Sequence, residues 1–105
     1  MSNGGHVGSS SDVPSQYNLK LRIKMETRPG QSMSIVGSLP QLGRWKDFRV
    51  CGMKWSEGHI WEINLNIPSK DCVFCYKYVK VNNGNAEEWE QGYNRIADLL
   101  SLHQT

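Results

Sequence analysis

Residues 17–25 alternate without interruption: Tyr17, Leu19, Leu21, Ile23 and Met25 are apolar, and Asn18, Lys20, Arg22 and Lys24 between them are polar. A period of two puts the apolar set on one face of a β-strand and the polar set on the other. A strand so divided must have its apolar face covered by a second layer. The pattern returns in Trp61, Ile63, Leu65 and Ile67, alternating with Glu62, Asn64 and Asn66 until Pro68 stops it. Met33-Ser34-Ile35-Val36 reads as extended, Val50 to Met53 as a further short strand, and residues 37–48 as a structured loop rather than an element. Cys72 to Val81 is dense in β-branched and aromatic residues, and Asn82-Asn83-Gly84 after it is the strongest hairpin signal in the chain, with Glu87-Glu88-Trp89 returning. Arg28-Pro29-Gly30-Gln31 is a turn signal. No long window carries a helical period, and Ile96 to Leu102 is ambiguous. These signs predict an all-β fold, an antiparallel two-sheet β-sandwich of immunoglobulin-like type.

A chain of 105 residues has room for one domain. Residues 1–15 are rich in Gly and Ser and have little to pack, so they are expected to be a flexible leader, with the sandwich in 16–105. Twelve Lys and Arg against ten Asp and Glu leave a formal charge of +2. That balance argues against electrostatic binding of nucleic acid or of acidic membranes. No apolar run is long enough to span a bilayer, so no membrane partner is expected. Cys51, Cys72 and Cys75 lack a disulfide framework's spacing, which suggests a reducing, intracellular and more often cytoplasmic setting. Strand alternation sends Cys72 and Cys75 to opposite faces, and no second ligand pair exists, so no metal is expected. Catalysis and a cofactor are not expected either. His6, His59 and His103 are scattered; Glu87, Glu88 and Glu90 share one segment instead of flanking a cleft; and Gly37 to Gly43 lacks a phosphate loop's ending.

Parity also sorts the aromatic residues. Phe74, Tyr76 and Tyr78 share one face of their strand, the expected core side, and Lys77 points outward in the middle of an apolar run. Trp61 falls in register with Ile63 and Leu65 and is expected in the core. Trp45 and Trp89 instead sit among polar residues, in Gly43-Arg44-Trp45-Lys46-Asp47 and in Glu87-Glu88-Trp89-Glu90-Gln91. Flat indole faces ringed by hydrogen-bonding groups suit a polyhydroxylated partner, since sugar rings present C–H faces and equatorial hydroxyls together. The same two residues would also serve an immunoglobulin-like protein-interaction domain as hot spots, and that alternative stays open.

The chain resembles the starch-binding domains of carbohydrate-binding module family 20. The likeness is carried by Ile35-Val36-Gly37-Ser38, Gln41-Leu42-Gly43-Arg44-Trp45, Trp55-Ser56-Glu57-Gly58-His59-Ile60-Trp61, Phe74-Cys75-Tyr76-Lys77-Tyr78 and Glu88-Trp89-Glu90-Gln91-Gly92-Tyr93-Asn94-Arg95, in order and at similar spacing. The resemblance implies a noncatalytic β-sandwich that binds α-1,4-glucans: starch, glycogen, maltooligosaccharides and cyclodextrin. It implies a first site with Trp45 and Trp89 as platforms and Lys77, Glu90 and Asn94 on the sugar hydroxyls. The family's second site uses a Tyr after the first strand, where this chain reads Arg28-Pro29-Gly30-Gln31-Ser32. Trp55 matches another second-site aromatic, which implies a weaker, rebuilt site around Trp55, Arg28 and Ser32. Many relatives close the sandwich with a further strand after the Asn-Arg pair, so either the first strand is expected to be a poorly covered edge or the chain is a piece of a longer one; it is expected to be monomeric or part of a larger chain.

Overall fold

The two alternating segments pair with each other. In the computed structural model, which describes residues 14–104 and their side chains as far as Ser101, β1 (Gln16–Lys24) runs antiparallel to β4 (Ile60–Pro68). Leu19 stands opposite Leu65, Leu21 opposite Ile63 and Ile23 opposite Trp61. Facing residues of an antiparallel pair share a face, so the two apolar sets merge into one surface. β3 (Lys54–Ser56) adds to the other edge of β4, giving the order β1-β4-β3.

The second sheet is built around β5 (Val73–Asn82). β2 (Gln31–Gly37) lies on one edge of β5, while β6 (Asn85–Trp89) and β7 (Arg95–Asp98) succeed each other along the opposite edge. Asn83 and Gly84 join β5 to β6 with φ of +52° and +85°, the mirror-image turn that matches strand twist. Met33, Ile35, Trp61, Ile67, Phe74 and Tyr78 are buried between the sheets, and Leu19, Leu21 and Ile23 pack on them. Trp61 is 6% exposed, and its Nε1 donates to the Met25 carbonyl at 3.2 Å. The chain forms the expected antiparallel two-sheet sandwich, with its core where alternation placed it.

Three segments differ from expectation. Val50 to Met53 is not a strand. Phe48–Cys51 forms a 3-10 turn capped by Asp47, whose Oδ1 accepts from Arg49 N at 3.0 Å. The turn lets Cys51 and Met53 both reach the core while Val50 stays 53% exposed. The loop ahead of it contains a 3-10 segment, Pro40–Trp45. The ambiguous stretch divides, with Ile96 to Asp98 in β7 (Arg95–Asp98) and the residues from Leu99 onward in α1 (Leu99–Gln104). Of the expected leader, residues 1–13 lie outside the described residues, whereas the Ser15 carbonyl accepts from Ser69 N at 3.1 Å.

The outward face of the second sheet is not a plain solvated surface. Val36, Val79 and Val81 point away from the main core yet are buried as a second small cluster. Trp45 and Phe48 pack against them, so the loop between β2 and β3 serves as their cover.

Candidate functional site

The outward valines organise the site. Val79 stands opposite Trp89 of β6, so the two share the outward face. Trp45 packs on the same valine cluster from the loop that follows β2. Lys77, two residues before Val79, points the same way and stands opposite Val36. Trp45, Val79, Lys77 and Trp89 therefore lie on one side of one sheet. Trp89 is 37% exposed and Trp45 is half-buried. Neither indole N–H has a hydrogen-bond partner among the described residues.

Local backbone geometry turns Trp45 onto this face. Gly43, Arg44 and Trp45 all have left-handed φ, +77°, +48° and +65°. A bulky side chain in that region costs about 1–3 kcal/mol and persists only where its surroundings hold it. Here the buried valines beneath the indole supply that hold.

On the β6 side, register explains the shape of the turn. The Tyr78 carbonyl accepts from Glu90 N at 3.0 Å, and Tyr76 stands opposite Arg95. Gln91, Gly92, Tyr93 and Asn94 thus occupy the stretch beside Lys77 where a regular strand would place a single residue. The extra length is pushed out as a loop. Its mouth is clamped by the Glu90 carboxylate, which accepts from Arg95 Nε at 2.8 Å and pairs with its Nη2 at 2.6 Å. The Arg95 guanidinium also stacks over Tyr78, 5.1 Å from the ring centre. Lys77 Nζ donates to the carbonyls of Glu90 at 3.1 Å and Gly92 at 2.6 Å. An ammonium has three donors, so one remains for a ligand. Gly92 takes a φ of +89°, which suits glycine. Asn94 is exposed, with no hydrogen bond among the described residues.

Glu90 differs from a free acceptor of sugar hydroxyls. It stands beside inward-facing Tyr78, whose N–H donates to its Oε1 at 3.3 Å, and Arg95 takes most of its remaining capacity. Burial pushes its carboxyl pKa up, but the Arg95 and Tyr78 hydrogen bonds and the charges of Arg95 and Lys77 outweigh that and hold it below the usual range. Burial, with neighbouring Tyr76 adding to it, pushes Tyr78 up to about 12. Glu90 thus shapes the loop that carries Asn94.

The second set of expected residues divides. Trp55, 53% exposed on β3 opposite Trp61, borders a depression shared with Thr27, Arg28, Gln31 and His59. Arg28 is held there through its N–H, which donates to Gln31 Oε1 at 2.8 Å, and Gln31 Nε2 donates to Glu87 at 2.9 Å. Ser32 does not join them. It stands opposite Val81 and faces the other side of its sheet.

Sequence reasoning missed Arg95 as the clamp and Tyr93 as an exposed ring. A Gly-Tyr pair between Glu90 and Arg95 was the available signal, opposite charges flanking a turn. It also missed a cleft of ≈ 170 Å³ between the sheets, lined by Ile23, Met25, Met33, Tyr78 and Trp89 among others. Among the described residues, no group of three or more His, Cys, Asp or Glu comes together in a way that could hold a metal.

The sequence and its fold have counterparts among known proteins. The chain is 29% identical over 94 residues to Glucoamylase-1 of Schizophyllum commune, covering 90% of this chain and 16% of that protein. Its fold superposes on the glycoside hydrolase family 15 glucoamylase from Hypocrea jecorina with a TM-score of 0.72 at 22% identity, over 83% of this chain and 15% of that one. It also superposes on the family 20 carbohydrate-binding module of the maltotetraose-forming amylase from Pseudomonas saccharophila STB07. That match has a TM-score of 0.62 at 21% identity, over 78% of this chain and 89% of that one. The chain thus spans a small part of the full-length enzymes and most of the isolated module. The family model described as starch binding domain matches residues 16–105, from the start of β1 onward, and with that the chain belongs to carbohydrate-binding module family 20.

Proposed function

We propose that this chain is a noncatalytic module that binds α-1,4-glucans through the outward face of its second sheet and so carries an attached partner to them. The observation that carries the reading is the placement of Trp45 and Trp89 around Val79, with Lys77 beside them. Two neighbouring glucose units would lie on the indoles. Lys77 Nζ and Asn94 would hold their hydroxyls, with Glu90 keeping the loop in shape. Starch, glycogen, maltooligosaccharides and cyclodextrins all present this surface, and they are the proposed ligands.

Each indole would contribute roughly 2–3 kcal/mol from apolar burial and ring contact. Together these give about 4–6 kcal/mol, a Kd between about 1 mM and tens of micromolar for a short oligosaccharide. Ordering the sugar and the side chains favours the weaker end. The depression at Trp55 and Arg28 is the proposed position of a second, weaker contact. Free thiols at Cys51, Cys72 and Cys75 support a reducing, intracellular setting.

Titration with maltooligosaccharides, read by tryptophan fluorescence and by competition with β-cyclodextrin, tests the proposal. Saturable quenching that is lost in Trp45→Ala and Trp89→Ala is expected. A silent titration with the folded protein would reject glucan binding and leave the indoles as hot spots for a protein partner.

A further inference from the structure

We infer that Tyr93 is a further sugar contact, one that lengthens the shelf made by Trp45 and Trp89 so that the module favours glucan stretches longer than those two rings cover. The inference rests on the glucan-binding reading above. Tyr93 is 99% exposed, the most exposed of the large apolar or aromatic side chains, and has no partner among the described residues. A lone exposed ring is ordinary on a protein surface, so the reason to assign it a role must come from its setting.

The surrounding loop supplies that reason. Register requires one residue beside Lys77 and the chain provides four, with Tyr93 among them. The loop is fixed at its base by the Glu90–Arg95 pair and from within by Lys77 Nζ on the Gly92 carbonyl. Its one fully exposed ring is thus carried on an anchored backbone, which lowers the ordering cost of a contact. Placement along the sheet gives the direction. β6, the loop and β7 run along one edge of β5, with Trp89 opposite Val79, the loop beside Lys77 and Ile96 opposite Cys75. Ile96, 71% exposed and opposite outward-facing Cys75, lies on the same side of the sheet as Trp89, so exposed apolar surface resumes past the loop. A chain seated on Trp45 and Trp89 and leaving along this edge passes over Tyr93, next to the free amide of Asn94.

Calorimetric titration of the wild-type chain and of the Tyr93→Ala, Tyr93→Phe and Trp89→Ala variants with maltotriose and with maltoheptaose tests the inference. Thermal melting serves as the control for folding. Tyr93→Ala should melt like the wild type. It should weaken maltoheptaose binding by about five- to tenfold, the worth of one ring contact, and maltotriose by less than about twofold. Tyr93→Phe should keep the preference for the longer sugar, and Trp89→Ala should weaken both. Equal loss for the two sugars in Tyr93→Ala, or no loss for either while Trp89→Ala still weakens both, overturns the role of Tyr93 and leaves glucan binding standing. Wild-type protein that binds neither sugar overturns both.

Discussion

Trp45, Trp61 and Trp89 have three different surroundings, and each predicts a different outcome on truncation. Trp61 lies between the sheets at 6% exposure with its N–H bonded to the Met25 carbonyl. Trp61→Ala should cost about 3–5 kcal/mol of stability and weaken binding only through unfolding. Trp45 covers Val36, Val79 and Val81, so the sequence-based view of it as a free platform is incomplete. Trp45→Ala should lose glucan binding and also about 2 kcal/mol of stability, because the valines beneath it gain water contact. Trp89, at 37% exposure, should lose comparable binding for about 1 kcal/mol or less. Urea melts beside sugar titrations of the three variants check this order, and equal loss of stability in all three would contradict it. Glu90 gives a pH signature. Its folded pKa lies below the ordinary carboxylate value, so the stability from its pairing with Arg95 is complete above the unfolded pKa and is lost as pH falls through the folded one. The difference in melting temperature between wild type and Glu90→Gln should be largest near neutral pH and shrink on acidification below the usual glutamate range. A gap that stays constant with pH would deny the carboxylate that role.

Among the elements, those that expressed their surroundings locally were legible in the sequence. β1 and β4 alternate because each has one wet and one dry face, and the turn at Asn83-Gly84 needs residues that accept positive φ. Lys77 could be placed outward by parity alone. The loop between β2 and β3 was not legible, because its course is set by what it covers. Cys51 and Met53 go to the core, Trp45 and Phe48 go to the outer valines, and no local period records such a division. β3 exists through its pairing with β4, and the loop at Gln91 to Asn94 through a clamp between residues whose register is fixed by β5. The end of β2 offers a test of how closely the β2–β3 loop is packed. A Cβ on Gly37 would lie 2.5 Å from the Cys75 carbonyl oxygen and 2.8 Å from Leu42 Cδ1. Gly52, in ordinary extended geometry, has open space there: a Cβ on it would meet nothing within 4 Å. Gly37→Ala should therefore destabilise by about 1–3 kcal/mol, while Gly52→Ala should stay within about 0.5 kcal/mol of wild type. Equilibrium denaturation reads both, and a neutral Gly37→Ala would show that β2, β5 and the loop can part to admit a methyl group.

At the scale of the whole molecule, the core lies between the sheets and the candidate site lies outside one of them. In the proposed reading, affinity and stability therefore depend on largely separate residues, and Trp45 and the Glu90–Arg95 clamp belong to both. The separation also limits the affinity of one copy. On the proposed shelf a sugar would bury only one face, so tight binding by a single module is not expected. A glucan particle presents many equivalent chains, and a second copy on a flexible linker would rebind at high effective concentration before the first lets go. A tandem of two copies should accordingly bind granular starch about 10²–10⁴ times more tightly than one copy, with maltotriose affinity per site unchanged. Replacing Trp89 by Ala in one copy of the tandem should return granule binding to near the single-copy level. Such an outcome would locate the gain in paired use of the outward face. A tandem that gains equally on maltotriose would point instead to a new site at the junction between copies.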